Sequence, residues 1–244
     1  MIAELIENNI KNNNKLFALL IDPDHHTEES LKEIANKANQ TSVDLIFIGG
    51  SLLNNAIDNS IHLIKKHTTI PVILFPGSLL QLSSKADGIL LLSLISGRNP
   101  DLLIGNHVVA ASYLKNSNLE ILPTGYILVN GGKTTSVEYM SNTKPLPSDK
   151  PDIAVSTAMA GEMLGLKFIY LEAGSGAEIS LTTQMISQVK NNINIPLIVG
   201  GGIKTPEDIH RIISAGADII VSGTAMEQDP NLLGSLVNAA HLKE

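Results

Sequence analysis

Leu197-Ile198-Val199-Gly200-Gly201-Gly202-Ile203-Lys204-Thr205-Pro206-Glu207-Asp208 reads as a buried strand, a glycine turn and the opening of a helix. Thr205 is placed to cap that helix, Pro206 suits its first position, and the two acids face the positive end of the dipole. Ile209, Ile212 and Ile213 follow at core spacing, and Gly216 stands just past the end. The same strand-then-helix pattern recurs. Apolar, β-prone runs occupy Leu16–Ile21, 43–48, 72–75, 88–93, 125–129, Phe168–Glu172, 197–199 and 218–222. Most are continuous rather than alternating, as parallel strands buried on both faces are. Thr27 caps a helix with Glu28 and Glu29 in its first turn, and 151–164 forms another that Gly165 terminates. The third connection is irregular, because 77–84 allows only a short helix, and 130–150 reads as a long loop. Eight such units in 244 residues predict one (β/α)8 TIM-type barrel as a single domain over 1–244. A dinucleotide fold would carry a glycine fingerprint after the first strand, and Asp22-Pro23-Asp24-His25-His26 has none.

Composition narrows the function. The net charge of −7 and the 3% aromatic content argue against nucleic acid, which needs basic surface and stacking platforms. The absence of cysteine excludes disulfides and thiolate zinc sites. No apolar run approaches the ~20 residues that span a bilayer, and residues 1–11 show helical spacing rather than a signal peptide. The expectation is a cytoplasmic enzyme without stable membrane insertion.

In such barrels the chemistry gathers at the C-terminal strand ends. Gly200-Gly201-Gly202 ends the seventh run, and Ser222-Gly223-Thr224 ends the eighth. Together they suit a phosphate, since glycine lets the backbone approach an anion; alone, the same glycines make tight turns. The sixth run ends Tyr170-Leu171-Glu172-Ala173-Gly174-Ser175-Gly176. Tyr170 and Glu172 share one face of that strand. If that face is the lumen, a phenol and a carboxylate meet at its mouth, either for chemistry or as a plain hydrogen-bonded pair. Asp22 after the first run and Ser51 after the second offer a sparse oxygen site of the kind Mg²⁺ takes, although Asp22-Pro23 also reads as a turn. Asn130-Gly131-Gly132-Lys133-Thr134 imitates a P-loop, but Ile127 stands where its first glycine belongs.

Leu20-Ile21-Asp22-Pro23-Asp24, Ile48-Gly49-Gly50-Ser51, Phe75-Pro76-Gly77, the 170–176 stretch and 200–204 stand in one order. Together they make the chain resemble geranylgeranylglyceryl phosphate synthase, in the longer-loop branch that includes bacterial members. The 170–176 stretch is the most specific piece. The resemblance implies a Mg²⁺-dependent prenyltransferase joining geranylgeranyl diphosphate to the C3 hydroxyl of sn-glycerol 1-phosphate, in ether-phospholipid biosynthesis. It implies Asp22 and Ser51 as metal contacts. It implies Tyr170, Leu171, Glu172, Ala173, Gly174, Ser175, Gly176, Gly201, Gly202, Gly223 and Thr224 as glycerol phosphate contacts, and assembly as a homo-oligomer. Glu172 is then the candidate base and Tyr170 its partner. Leu20 and Thr224 depart from the lysine and asparagine that some members carry. The prenyl groove is sought near 92–103 and in the loop before Pro151. The rival expectations are an isomerase or aldolase on this barrel, or a phosphometabolite-binding barrel without catalysis.

Overall fold

The computed structural model describes residues 1–242; the last two residues of the expected 1–244 domain lie outside the described residues. The elements run α1 (Ile2–Lys11), β1 (Leu16–Ile21), α2 (Glu28–Gln40), β2 (Leu45–Ile48), α3 (Ile57–His67), β3 (Val72–Leu74), β4 (Gly88–Leu94) and α4 (Asn106–Asn116). They continue with β5 (Glu120–Leu128), α5 (Ser136–Ser141), α6 (Pro151–Met163), β6 (Phe168–Glu172), α7 (Thr183–Lys190) and β7 (Leu197–Gly200). α8 (Pro206–Ser214), β8 (Ile219–Ser222), α9 (Thr224–Gln228) and α10 (Leu232–His241) complete the order. The eight strands pair in parallel with their sequence neighbours, and β8 closes on β1 with Leu16 opposite Ile219. This is the barrel that the sequence predicts.

Alternation divides the core into two layers. Ala18, Phe47, Ile73, Leu90, Tyr126, Tyr170, Ile198 and Val221 pack together in the lumen. Phe17, Ile46, Leu74, Ile127, Leu171, Val199 and Ile220 pack outward against the helices. α1 plugs the bottom: Ile2 and Ile6 join the lumen cluster, and the Glu120 carboxylate accepts from the N–H groups of Ile2 and Ala3. A carboxylate there satisfies helix donors that α1 leaves unpaired. At the top, Thr205 and Asp208 form the reciprocal cap of α8 that its sequence announces.

Two local expectations are corrected. β5 begins at Glu120, ahead of the 125–129 run, because Pro123 and Thr124 interrupt the apolar pattern without interrupting the strand. The 130–150 loop contains α5 and a bridge from Val129 to Leu146. The irregular third connection is as expected: between β3 and β4 the layer of helices is broken, with only a 3₁₀ turn, Leu79–Gln81, in the place of a helix.

Candidate active site

A cavity of about 420 Å³ opens at the C-terminal end of the barrel. Its polar half lies over the lumen. Glu172, the last residue of β6, is 5% exposed and points inward beside Tyr170. Glu172 Oε1 accepts from the Gly174 N–H at 2.6 Å. Burial raises the Glu172 carboxyl to about 7, opposed by that N–H and by the adjoining Tyr170 hydroxyl. The Tyr170 hydroxyl is buried, lies beside the carboxylate and forms no well-shaped hydrogen bond. A buried polar atom in that state is a group waiting for a partner.

Aromatic rings surround this pair. Phe75 stacks on Tyr170 at 5.3 Å between centroids, Tyr126 meets Tyr170 edge-on at 5.3 Å, and Phe47 lies 6.2 Å from Phe75. Half of the chain's aromatic residues thus gather at one point. Their π faces suit a carbon that acquires positive charge.

Around them lie backbone donors. Ser175, Gly176, Gly201 and Gly202 line the cavity, and their N–H groups donate to no acceptor among the described residues. Gly201 and Gly202 have φ of 88° and 70°, a region in which only glycine is unstrained. Ser175 Oγ and Thr224 Oγ1 stand 3.1 Å apart and join the loop after β6 to the one after β8. Free N–H groups from neighbouring loops form an anion site.

On the opposite rim, Asp22 directly follows β1. Its Oδ1 accepts from the Asp24 N–H at 3.1 Å, and burial raises its carboxyl above the usual range. Oδ2 has no hydrogen-bond donor among the described residues, and Ser51 lines the same rim. No group of three or more His, Cys, Asp or Glu among the described residues forms a metal cage. One free carboxylate oxygen and a hydroxyl fit Mg²⁺ only with phosphate and water oxygens completing its shell, which is its habit.

The apolar half of the cavity follows from the missing helix. Leu91 faces outward from β4 and is only half-buried, where a helix would otherwise cover it, and the buried Ile89 lines the slot beside it. Leu79, Leu82 and Ala110 form the walls, and Val137 and Met140 of α5 form the roof. His107 of α4 also lines this slot. Its Nε2 meets Ser93 Oγ at 3.0 Å, its Nδ1 is buried without a partner, and burial lowers its pKa.

The structure therefore brings Asp22, Ser51, Tyr170, Glu172, Ser175, Gly176, Gly201, Gly202, Gly223 and Thr224 to one cavity. Leu171 and Ala173 turn their side chains into the outer layer, and Gly174 serves through its N–H on Glu172. Leu92 and Leu102, within the 92–103 segment, line the apolar part. Sequence reading missed Tyr126, His107, α5 and Gln81. Tyr126 carried a usable signal: it lies two residues from the end of its strand, as Tyr170 does.

The PcrB family model matches residues 8–240. The geranylgeranylglyceryl phosphate synthase of Chitinophaga pinensis is 50% identical over 228 residues, covering 93% of this chain and 90% of that one. That of Pyrococcus furiosus is 41% identical over 215 residues, covering 87% and 85%. Among solved structures, (S)-3-O-geranylgeranylglyceryl phosphate synthase from Thermoplasma acidophilum in complex with sn-glycerol-1-phosphate superposes with a TM-score of 0.94. It is 33% identical, with 99% of this chain and 98% of that chain covered.

Proposed function

The chain belongs to the PcrB family, and from that premise we propose that it is a geranylgeranylglyceryl phosphate synthase. It moves the prenyl group of geranylgeranyl diphosphate to the C3 hydroxyl of sn-glycerol 1-phosphate, forming an ether and releasing diphosphate. The observation that carries this reading is the Glu172 carboxyl, raised to about 7 and placed between free N–H groups on one side and an apolar slot on the other.

Glycerol phosphate is held by the N–H groups of Ser175, Gly176, Gly201 and Gly202, with Gly223 and Thr224 closing the site. The prenyl tail lies in the slot along β4, and its diphosphate sits at the Asp22–Ser51 rim. Asp22 and Ser51 would hold Mg²⁺ there, and when bound the ion would supply charge neutralisation for the diphosphate leaving group. As the allylic C–O bond loosens, the faces of Tyr170, Tyr126 and Phe75 stabilise positive charge at C1. Glu172 in its ionised form accepts the hydroxyl proton, a contribution of about 10²–10⁴-fold. The Tyr170 hydroxyl gains the partner it lacks by hydrogen-bonding the glycerol oxygen. Holding both reactants in line is worth about 7–11 kcal/mol.

Both rivals fit less well. A Schiff-base aldolase needs a lumen lysine; among the described residues none is buried, and Lys204 stands exposed at the rim. A non-catalytic binder has no use for a buried carboxyl raised to about 7 beside an unsatisfied phenol. No helix among the described residues is long and apolar enough to cross a bilayer. A cytoplasmic homo-oligomer completes the reading. Its test is diphosphate release from geranylgeranyl diphosphate by the purified chain. Release that depends on added glycerol 1-phosphate supports transfer, and release indifferent to it means hydrolysis.

A further inference from the structure

One buried amide holds the donor half of the cavity. Gln81 ends the 3₁₀ turn that replaces a helix after β3 and is 3% exposed. Its Oε1 accepts from the Gly77 N–H at 3.1 Å and the Gly50 N–H at 3.3 Å. Its Nε2 donates to the Gly50 carbonyl at 2.7 Å. The flipped amide would set an NH₂ group against two N–H donors, so only one orientation satisfies the site. The three bonds lock the loop after β2 to the loop after β3.

The packing leaves no slack. A Cβ on Gly77 would lie 2.4 Å from the Gly50 oxygen, and one on Gly50 would lie 2.6 Å from Asp22 Oδ2. Gly50 is therefore gripped between the Gln81 amide and the Asp22 carboxylate, and Ser51 follows it directly. The neighbours of Gln81, Leu79 and Leu82, wall the apolar slot. The acceptor half is tied differently, through the Gly174 N–H on Glu172, the Ser175–Thr224 pair and the Ser222 hydroxyl on the Ile203 carbonyl.

We propose that Gln81 is a positioning residue for the prenyl diphosphate. Its amide fixes Gly50 and Ser51 opposite Asp22 and sets that rim against the slot that takes the tail. Gln81 touches neither substrate. The inference rests on the donor assignment made above.

The test uses the full chain, Gln81→Leu and Gln81→Glu. Geranylgeranyl diphosphate binding is measured by calorimetry without acceptor, and KM is measured for both substrates. Gln81→Leu weakens donor binding about tenfold or more while KM for glycerol phosphate stays within about twofold. In Gln81→Glu the protonated acid restores all three bonds: its carbonyl accepts from both N–H groups and its O–H donates to Gly50. The ionised form cannot donate, and burial favours the protonated form. The donor affinity of Gln81→Glu relative to wild type therefore climbs as pH falls from about 8 to about 6. A merely structural role would move both KM values together without such recovery. Unchanged donor binding in Gln81→Leu, equal loss for both substrates, or a flat pH ratio for Gln81→Glu overturns the inference. If Gln81→Leu fails to fold, the pH ratio of Gln81→Glu decides alone. Wild type that binds no prenyl diphosphate defeats the functional reading itself and this inference with it.

Discussion

The Tyr170 hydroxyl and the Glu172 carboxylate converge on the backbone of Gly200. A Cβ built there would lie 2.4 Å from the hydroxyl and 3.1 Å from Glu172 Oε2. Two residues apart on one strand, both side chains reach across to the neighbouring strand, and only a glycine there leaves them room. The lumen places them in apolar surroundings, which raises the carboxyl toward neutrality and leaves the phenol beside it without a well-shaped hydrogen bond. Both features cost stability and become useful when a polar substrate arrives.

Glu172→Gln removes the base while keeping an oxygen for the Gly174 N–H. Turnover falls about 10²-fold or more, with KM for glycerol phosphate near that of wild type. Steady-state kinetics check this, and unchanged turnover removes Glu172 from the mechanism.

pH acts on activity and stability with opposite signs. The Glu172 carboxyl stands near 7 when folded, against 4.5 for an exposed one. Its neutral form favours folding, so this contribution is full below about 4.5 and fades as pH rises through about 7. The base works when ionised, so turnover rises over that same upper range. Initial rates and melting temperatures between about pH 5 and pH 8 therefore diverge, and Glu172→Gln melts higher than wild type at the alkaline end. Parallel trends, or no gain in the variant, contradict the assignment.

Gly200→Ala needs no forbidden φ, so its effect is steric. Crowding Tyr170 and Glu172 costs about 1–3 kcal/mol of stability and lowers turnover by about tenfold or more. Denaturant melts and kinetics measure the two losses. A variant that matches wild type in turnover would mean that the pair's placement is not used.

Ala110 is 3% exposed and forms a wall of the apolar slot. Ala110→Phe fills that wall. The ratio of activity with a geranylgeranyl donor to that with a geranyl donor falls about tenfold or more, because only the longer tail reaches the obstruction. An unchanged ratio places the tail elsewhere.

How far the sequence foretold this molecule depends on where the information lies. Strand and helix order was legible because buried parallel strands are continuous apolar runs, and because Thr205-Pro206-Glu207-Asp208 and Thr27-Glu28-Glu29 mark helix starts unambiguously. The polar half of the site was legible for a related reason: its residues stand at strand ends. The apolar half was not. The short 77–84 connection was visible, but not that a slot opens there, because an outward leucine such as Leu91 reads the same whether covered by a helix or by a substrate. Tyr126 joins Tyr170 only through the pairing of β5 with β6, and Gln81 acts only through two loops distant in sequence.

The most direct measurement of the central claim is product analysis. The purified chain is given geranylgeranyl diphosphate with sn-glycerol 1-phosphate or with the 3-phosphate isomer, with and without Mg²⁺. A prenyl ether is expected from the 1-phosphate alone, and only with Mg²⁺. Folded protein that binds glycerol phosphate yet forms no ether with any prenyl donor would contradict it.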